Sequence, residues 1–186
     1  DRLLCAGIIG YRALKLSGYD EGGSLGLYGF GASAHIALQI ANYKGCKTYV
    51  FSRTKEHRKL AHKLGAWWVG SGDENLGLKI DHAIIFAPVG ELVINALKRL
   101  NKGGTLALAG IYMTPIPQLD YGSLLYGERK ITSVTASTRN DAKELLALAS
   151  TIPIKTDVEI YPLNEANRAL KLLKARRING AGVLKI

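Results

Sequence analysis

The chain has 186 residues, 47% of them hydrophobic and 22% charged, with 25 Lys and Arg against 15 Asp and Glu for a formal charge of +10. This is enough chain for one full domain with an appended lobe, in the composition of a soluble α/β protein; no apolar run approaches the roughly 20 residues that span a bilayer, and Cys5 and Cys46, far apart, give no disulfide framework and suit a reducing cytoplasm. The basic residues gather in Arg53–Lys63 and Arg168–Arg177 without the interleaved aromatics that stack bases, so the charge speaks for a phosphate-bearing ligand and solvated helices rather than for nucleic acid.

The chain opens at Asp1 with no basic-then-apolar leader, which reads as part of a longer protein. From there, short apolar runs alternate with helical periodicity, the pattern of a parallel sheet built from βαβ units. Leu25–Tyr28 is a first strand that ends in a glycine cluster. A helix over Ser33–Lys44 follows, with Ile36/Ile40 and Ala37/Ala41 at i,i+4 spacing and Gly45 at its left-handed C-terminal cap. Thr48–Phe51 is a second strand, and Glu56–Leu64 a helix closed by Gly65. Trp67–Val69 and His82–Phe86 read as third and fourth strands. A helix from about Glu91 to Leu100 leads through Lys102-Gly103-Gly104 into a fifth strand, Thr105–Ala109, and a Pro-containing loop precedes a sixth, Ile131–Val134. Six strands with intervening helices match a doubly wound dinucleotide fold.

From Asn140 the texture changes. Asp141–Ala149 is helical and Val158–Tyr161 a strand. A last helix is capped by Asn164, presents Ala166, Leu170 and Leu173 on one face, and is broken by Gly180-Ala181-Gly182 before a closing strand, Val183–Ile186. This tail leaves the βα rhythm and is expected to belong to a different lobe.

Gly29-Phe30-Gly31-Ala32-Ser33-Ala34 is a G-x-G-x-x-A turn between a predicted strand and a predicted helix, the context a dinucleotide fingerprint requires. Gly29 permits the tight turn, Gly31 lets the backbone approach a pyrophosphate, and Ala34 lets helix and strand pack closely. The helix N-terminus then offers N–H groups and partial positive charge to the phosphates. At the end of the second strand, where an NAD-preferring fold carries Asp or Glu for the ribose hydroxyls, the chain reads Ser52-Arg53-Thr54-Lys55. A hydroxyl, a guanidinium and an ammonium favour the 2′-phosphate of NADP over NAD. The missing carboxylate also argues against a methyltransferase.

Leu3-Leu4-Cys5-Ala6-Gly7-Ile8-Ile9-Gly10-Tyr11-Arg12-Ala13-Leu14, the Leu27–Gly31 turn, Lys63-Leu64-Gly65-Ala66, Lys102-Gly103-Gly104-Thr105 and Gly182–Ile186 together resemble zinc-dependent medium-chain alcohol dehydrogenases. The resemblance covers essentially the whole chain. It implies a Rossmann domain with a leading helix over 1–139, and a 140–186 segment that belongs to the catalytic lobe. The N-terminal catalytic domain, which carries the other zinc ligands and the proton relay, is absent from this chain. It also implies that Cys5 is a ligand of a catalytic zinc, a role its place near a helix start suits chemically. Phe86-Ala87-Pro88, Ala109-Gly110-Ile111 and Thr135, at the ends of the fourth, fifth and sixth strands, are implied to touch the nicotinamide side of the cofactor. The four histidines, His35, His57, His62 and His82, do not replace the missing ligands, and Cys46 reads as structural.

The reaction implied for the complete enzyme is reversible oxidation of a small alcohol to an aldehyde or ketone, with zinc as Lewis acid on the substrate oxygen and hydride passing to NAD(P). The chain alone is expected to bind nucleotide without turnover. The complete enzyme is expected to be a homodimer or homotetramer, with pairing through the sixth-strand region. Two alternatives stand at this point: a zinc-free quinone or enone reductase of the same superfamily, and a non-catalytic nucleotide-binding module.

Overall fold

The computed structural model describes residues 3–72, 74, 76–175, 177–178 and 181–186; Gly180, read above as a helix breaker, and Arg176, in the second basic stretch, lie outside the described residues. Six parallel strands form the main sheet: β1 (Ser24–Tyr28), β2 (Lys47–Phe51), β3 (Trp68–Gly70), β4 (Ile80–Ile85), β5 (Leu100–Leu108) and β6 (Lys130–Ser133). Their spatial order is β3-β2-β1-β4-β5-β6, the doubly wound order whose direction reverses between β1 and β4. Helices α1 (Ile8–Ser17), α2 (Ala32–Tyr43), α3 (Lys55–Lys63), α4 (Glu91–Arg99) and α5 (Arg139–Thr151) accompany it.

Two apolar layers hold the sheet. One joins Leu14, Leu25, Leu27, Ile36, Leu38, Ile40, Val50, Ile84 and Leu145, and so seats α1, α2 and α5 on one face. The other joins Tyr28, Phe51, Ile80, Ile85, Val93, Leu97, Leu100 and Leu106, and seats α4 on the opposite face. The central strands are buried on both faces, which explains their nearly continuous apolar sequence. Gly45 and Gly65 adopt the left-handed conformation at φ 77 and 90, closing α2 and α3 as expected.

Several boundaries differ from the sequence reading for local reasons. Trp67 does not begin β3; it lies outside the strand, exposed, with Lys47 Nζ 4.9 Å over its ring. β5 starts at Leu100 rather than Thr105, because Leu100 already pairs with Ile80 before the register shifts to His82↔Thr105. Gly103, within this stretch, sits at φ 75. His82 lies inside β4 rather than at its start, and its Nε2 is 3.4 Å from Asp20. The loop before β6 contains a π-helical turn, Tyr121–Leu125, capped by Asp120, whose side chain accepts from the Ser123 amide at 2.9 Å.

In the tail, β7 (Val158–Pro162) and β8 (Ala181–Lys185) pair in parallel as a separate two-stranded sheet with α6 (Ala166–Lys174) between them in sequence. The βα rhythm therefore continues once more, in a second sheet. Asn164 is not the N-cap of α6; a 3-10 turn over Leu163–Glu165 comes first, and Glu165 occupies the cap without a side-chain bond. The predicted inward face is also corrected. Ala169 is buried with Tyr161 and Ile178, with Leu172 against them, while Leu170 and Leu173 are 61% and 59% exposed. The helix follows its own small sheet rather than the main core. Gln39 of α2 ties the tail down through paired bonds with the Lys155 backbone, 2.9 and 2.8 Å.

Candidate functional site

Because all six strands run parallel, the turns that leave their C-terminal ends lie along one edge of the sheet. Each turn departs from a strand end fixed by its neighbour: Gly29 N donates to Phe51 O (2.9 Å), Phe86 N to Tyr28 O (2.9 Å), Ala109 N to Ile85 O (2.8 Å) and Val134 N to Leu108 O (2.9 Å). Side chains reinforce this at the first two strands. The rings of Tyr28 and Phe51 stack with centroids 4.4 Å apart, and the Arg99 guanidinium lies 5.2 Å from the Phe51 ring. Arg99 in turn donates to the carbonyls of Gly72 and Glu74.

The glycine turn after β1 divides into two kinds of residue. Gly29 has φ 88, and a Cβ there would stand 2.9 Å from the Ala87 Cβ and backbone nitrogen. This glycine brings the turn after β1 against the turn after β4, at the point where the strand order reverses. A Cβ on Gly31 would meet nothing within 4 Å; the space beside Gly31 is open and borders the start of α2. Gly31 is the N-cap of α2, without a side-chain cap bond, so the first-turn amides of Ala32, Ser33 and Ala34 have no partner within the helix. Phe30 and Ala34 turn their side chains into the core; what they offer a ligand is backbone. His35 is buried, with its Nδ1 3.2 Å from Gly31 O, a second brace on the turn beside the helical bond from its own amide.

At the end of β2, Ser52 is buried and its amide donates to Gly70 O at 2.9 Å, while Arg53 and Lys55 are exposed. Arg58, which the sequence reading passed over, donates to the carbonyls of Ser52 (2.7 Å) and Arg53 (3.2 Å). It holds the β2–α3 turn and adds a third cation to it. Pro88 and Ile111 are exposed, Phe86, Ala87 and Gly110 half-buried, Ala109 buried and Thr135 exposed. Thr114 Oγ1 accepts from Gly90 N at 2.8 Å, so the loop after β5 folds against the turn after β4. Between those anchors Tyr112 is 97% exposed at φ 55, a conformation that a bulky residue rarely adopts.

Cys5 lies in a π-helical turn, Leu3–Gly7, that runs directly into α1, and it is an exposed free thiol. Single π turns recur at functional positions in helices. Among the described residues no three His, Cys, Asp or Glu side chains converge into a metal-binding group. Cys46 is buried; burial first, and then Asp20 and Asp81, push its thiol up to about 12, which keeps it protonated and unreactive. Among the described residues no helix is long and apolar enough to cross a membrane.

Comparison with known proteins agrees with this geometry. A family model described as zinc-binding dehydrogenase matches residues 34–151. The chain is 49% identical over 184 residues to a probable alcohol dehydrogenase, AdhA, of Mycobacterium tuberculosis, covering 99% of this chain and 53% of that protein. It is 31% identical over 192 residues to an alcohol dehydrogenase of Geobacillus stearothermophilus, covering 99% and 57% respectively. Among solved structures, acetophenone reductase from Geotrichum candidum in complex with NAD superposes with a TM-score of 0.90 at 22% identity, covering all of this chain and 55% of that one. The protein named CAD of Helicobacter pylori, complexed with NADP(H), gives a TM-score of 0.84 at 24% identity, covering 98% and 53%. The chain thus spans about half the length of the curated relatives it matches. With a matched family model over most of its length and the six-stranded parallel sheet of that fold, the chain belongs to the zinc-binding dehydrogenase family.

Proposed function

We propose that this chain is the nucleotide-binding half of an alcohol dehydrogenase, which passes hydride reversibly between a small alcohol and a nicotinamide cofactor, NADP in preference to NAD. The observation that carries the reading is the open space beside Gly31 at the bare N-terminus of α2, next to the point where the strand order reverses. Backbone amides there suit a pyrophosphate. Arg53, Lys55 and the pinned Arg58 suit a 2′-phosphate a few residues further on. The uncharged ends of β4, β5 and β6 suit a nicotinamide ring. Relatives bearing NAD and NADP(H) in their own structures are compatible with either cofactor.

The chain's residues bind and orient the cofactor and shield it from water. The cofactor supplies the hydride chemistry when bound, and a zinc ion would supply Lewis acidity toward the substrate oxygen. Cys5 is proposed as one of the zinc's ligands, the others coming from outside this chain, so that the chain alone binds nucleotide without turnover. Residues 140–186 are proposed to complete the lobe that carries those ligands, in line with the exposed apolar stripe of Leu170 and Leu173. Pairing of two copies is proposed at β6, the open edge of the main sheet.

The test is titration of the chain with NADPH and NADH, followed by Trp67/Trp68 fluorescence and calorimetry, and repeated with Arg53→Ala. Loss of one charge-assisted contact, about 1.5–3 kcal/mol, weakens NADPH roughly ten- to hundredfold and leaves NADH nearly unchanged. Equal binding of the two cofactors by the native chain would remove the 2′-phosphate assignment. Binding of neither would remove the site.

A further inference from the structure

Gly10 sits inside α1, where glycine is a poorer helix former than alanine, and it does not take a left-handed conformation. Neither propensity nor backbone freedom accounts for it; space does. A Cβ on Gly10 would stand 2.7 Å from the Ser33 carbonyl oxygen, 3.4 Å from its carbon and 3.6 Å from the Ala37 Cβ. The backbone of α1 therefore touches the backbone of the first turn of α2, two residues beyond Gly31. The same helical run, Leu3–Ser17, carries Cys5 five residues upstream.

On its other side α1 is clamped to α5. Asp141, with no exposed surface, faces Lys15 at 3.1 Å and Arg12 at 3.5 Å, and also accepts from the Thr138 amide and hydroxyl at 2.8 and 2.9 Å. Glu144 accepts from Tyr11 Oη at 2.8 Å and from Lys15 at 2.7 Å. Retreat of the helix from α2 on that side works against these contacts. An added methyl group on Gly10 has to displace either the segment that carries Cys5 or the turn that faces the phosphates.

We propose that Gly10 is a positioning residue that sets the spacing between the Cys5 segment and the phosphate turn, and so the separation of metal-side and cofactor-side groups across the active cleft. The inference rests on the reading of those two segments as metal- and cofactor-binding. It is tested in the complete protein, isolated with its metal, by comparing Gly10→Ala with Ala13→Gly. Ala13 lies in the same helix and is equally enclosed, but its substitution removes a methyl group instead of adding one.

For Gly10→Ala, full metal content is expected, together with kcat lowered about tenfold or more, NADPH affinity weakened severalfold, and a shifted thiolate charge-transfer band after Co(II) substitution. Ala13→Gly is expected to lower Tm while leaving band, affinity and kcat at native values. If Gly10→Ala does not fold, Gly10→Ala/Ala37→Gly, which keeps the 2.7 Å approach to the Ser33 oxygen but opens room on the Ala37 side for the helices to adjust, is measured in its place with the same expectations. Native band, affinity and kcat in the Gly10 variant, or equal changes in both variants, would overturn the proposal. Failure of the native protein to bind nucleotide, or metal through Cys5, would overturn it as well, and is told apart because it appears before any substitution is made.

Discussion

The two glycines of the phosphate turn have different neighbours, so they separate folding from binding. At Gly29, alanine has to hold φ 88 and place its Cβ 2.9 Å from the backbone nitrogen of Ala87. The left-handed conformation costs about 1–2 kcal/mol and the overpacking about 1–3 kcal/mol, so Gly29→Ala is expected to destabilise the chain by roughly 2–5 kcal/mol. At Gly31 the backbone is extended, φ −110, and the added Cβ meets nothing within 4 Å. The fold loses only the modest difference between Gly and Ala at an N-cap, below about 1 kcal/mol. The same methyl group enters the space assigned to the pyrophosphate. An overpacking cost of about 1–3 kcal/mol borne only by the complex weakens nucleotide binding roughly five- to 150-fold. Urea denaturation gives the first quantity and NADPH titration the second. Gly31→Ala binding NADPH like the native chain would refute the assignment of this space, and Gly29→Ala folding with native stability would refute the contact analysis.

Two further outcomes follow from the buried polar groups. Burial works against the Asp141 carboxylate, but the bonds from Thr138 and the Lys15 ammonium outweigh it and hold the group down at about 2. Its folded value lies below its unfolded one, so its contribution is present above about pH 4 and is lost as pH falls toward 2. Denaturation midpoints are expected to be level from pH 7 to 5 and to fall below pH 4, with a shallower acid slope in Asp141→Asn; Asp141→Ala costs about 3 kcal/mol at pH 7, since Lys15 and Arg12 lose a buried partner. Of the two thiols, Cys5 is exposed and Cys46 is buried and pushed up to about 12, so a thiol reagent at pH 8 modifies one equivalent quickly and the second only on unfolding. Cys5→Ala removes the fast phase; a fast phase that persists in that variant would contradict the burial of Cys46.

The sheet was legible because its cause is local. A short, mostly apolar run after a charged or small residue, as at Leu25–Tyr28, then a glycine, then an i,i+4 stripe, can form little other than strand, turn and amphipathic helix, and β1, β2, β4 and α2 fall within one or two residues of expectation. The candidate site was legible where backbone geometry forces a residue type, as at Gly29, and where a motif calls for open space beside the backbone, as at Gly31. Arg58 carries no such signal, since its role is to bond two carbonyls that any residues would present. Gly10 reads as an ordinary weak spot in a helix until Ser33 is brought against it. The stripe of Leu170 and Leu173 was found by period, but period cannot say which neighbour covers a stripe, and α6 turned Ala169 inward instead.

The edge that gathers these turns is electrically divided. Over β1 and β2 lie the bare N-terminus of α2, Arg53, Lys55 and Arg58; the turns after β4, β5 and β6 run Phe86-Ala87-Pro88, Ala109-Gly110-Ile111 and Val134-Thr135-Ala136, without a charged side chain. If this edge holds the cofactor as proposed, a dinucleotide laid across it has one favourable direction. Its phosphates and ribose fall over the positive half, where amides and guanidinium groups replace their water. The nicotinamide ring, neutral when reduced and singly positive when oxidised, is assigned to the half without charged side chains, where Ile111 and Tyr112 are exposed. Reversing it strands the 2′-phosphate over turns with no cation to receive it. Orientation of the cofactor therefore follows from the strand order, which puts β2 and β5 on opposite sides of the β1–β4 switch. Variants at Gly31 and Arg53 accordingly act on the same half of the ligand, and their effects on NADPH binding are expected to be less than additive if the two contacts hold one rigid end of it.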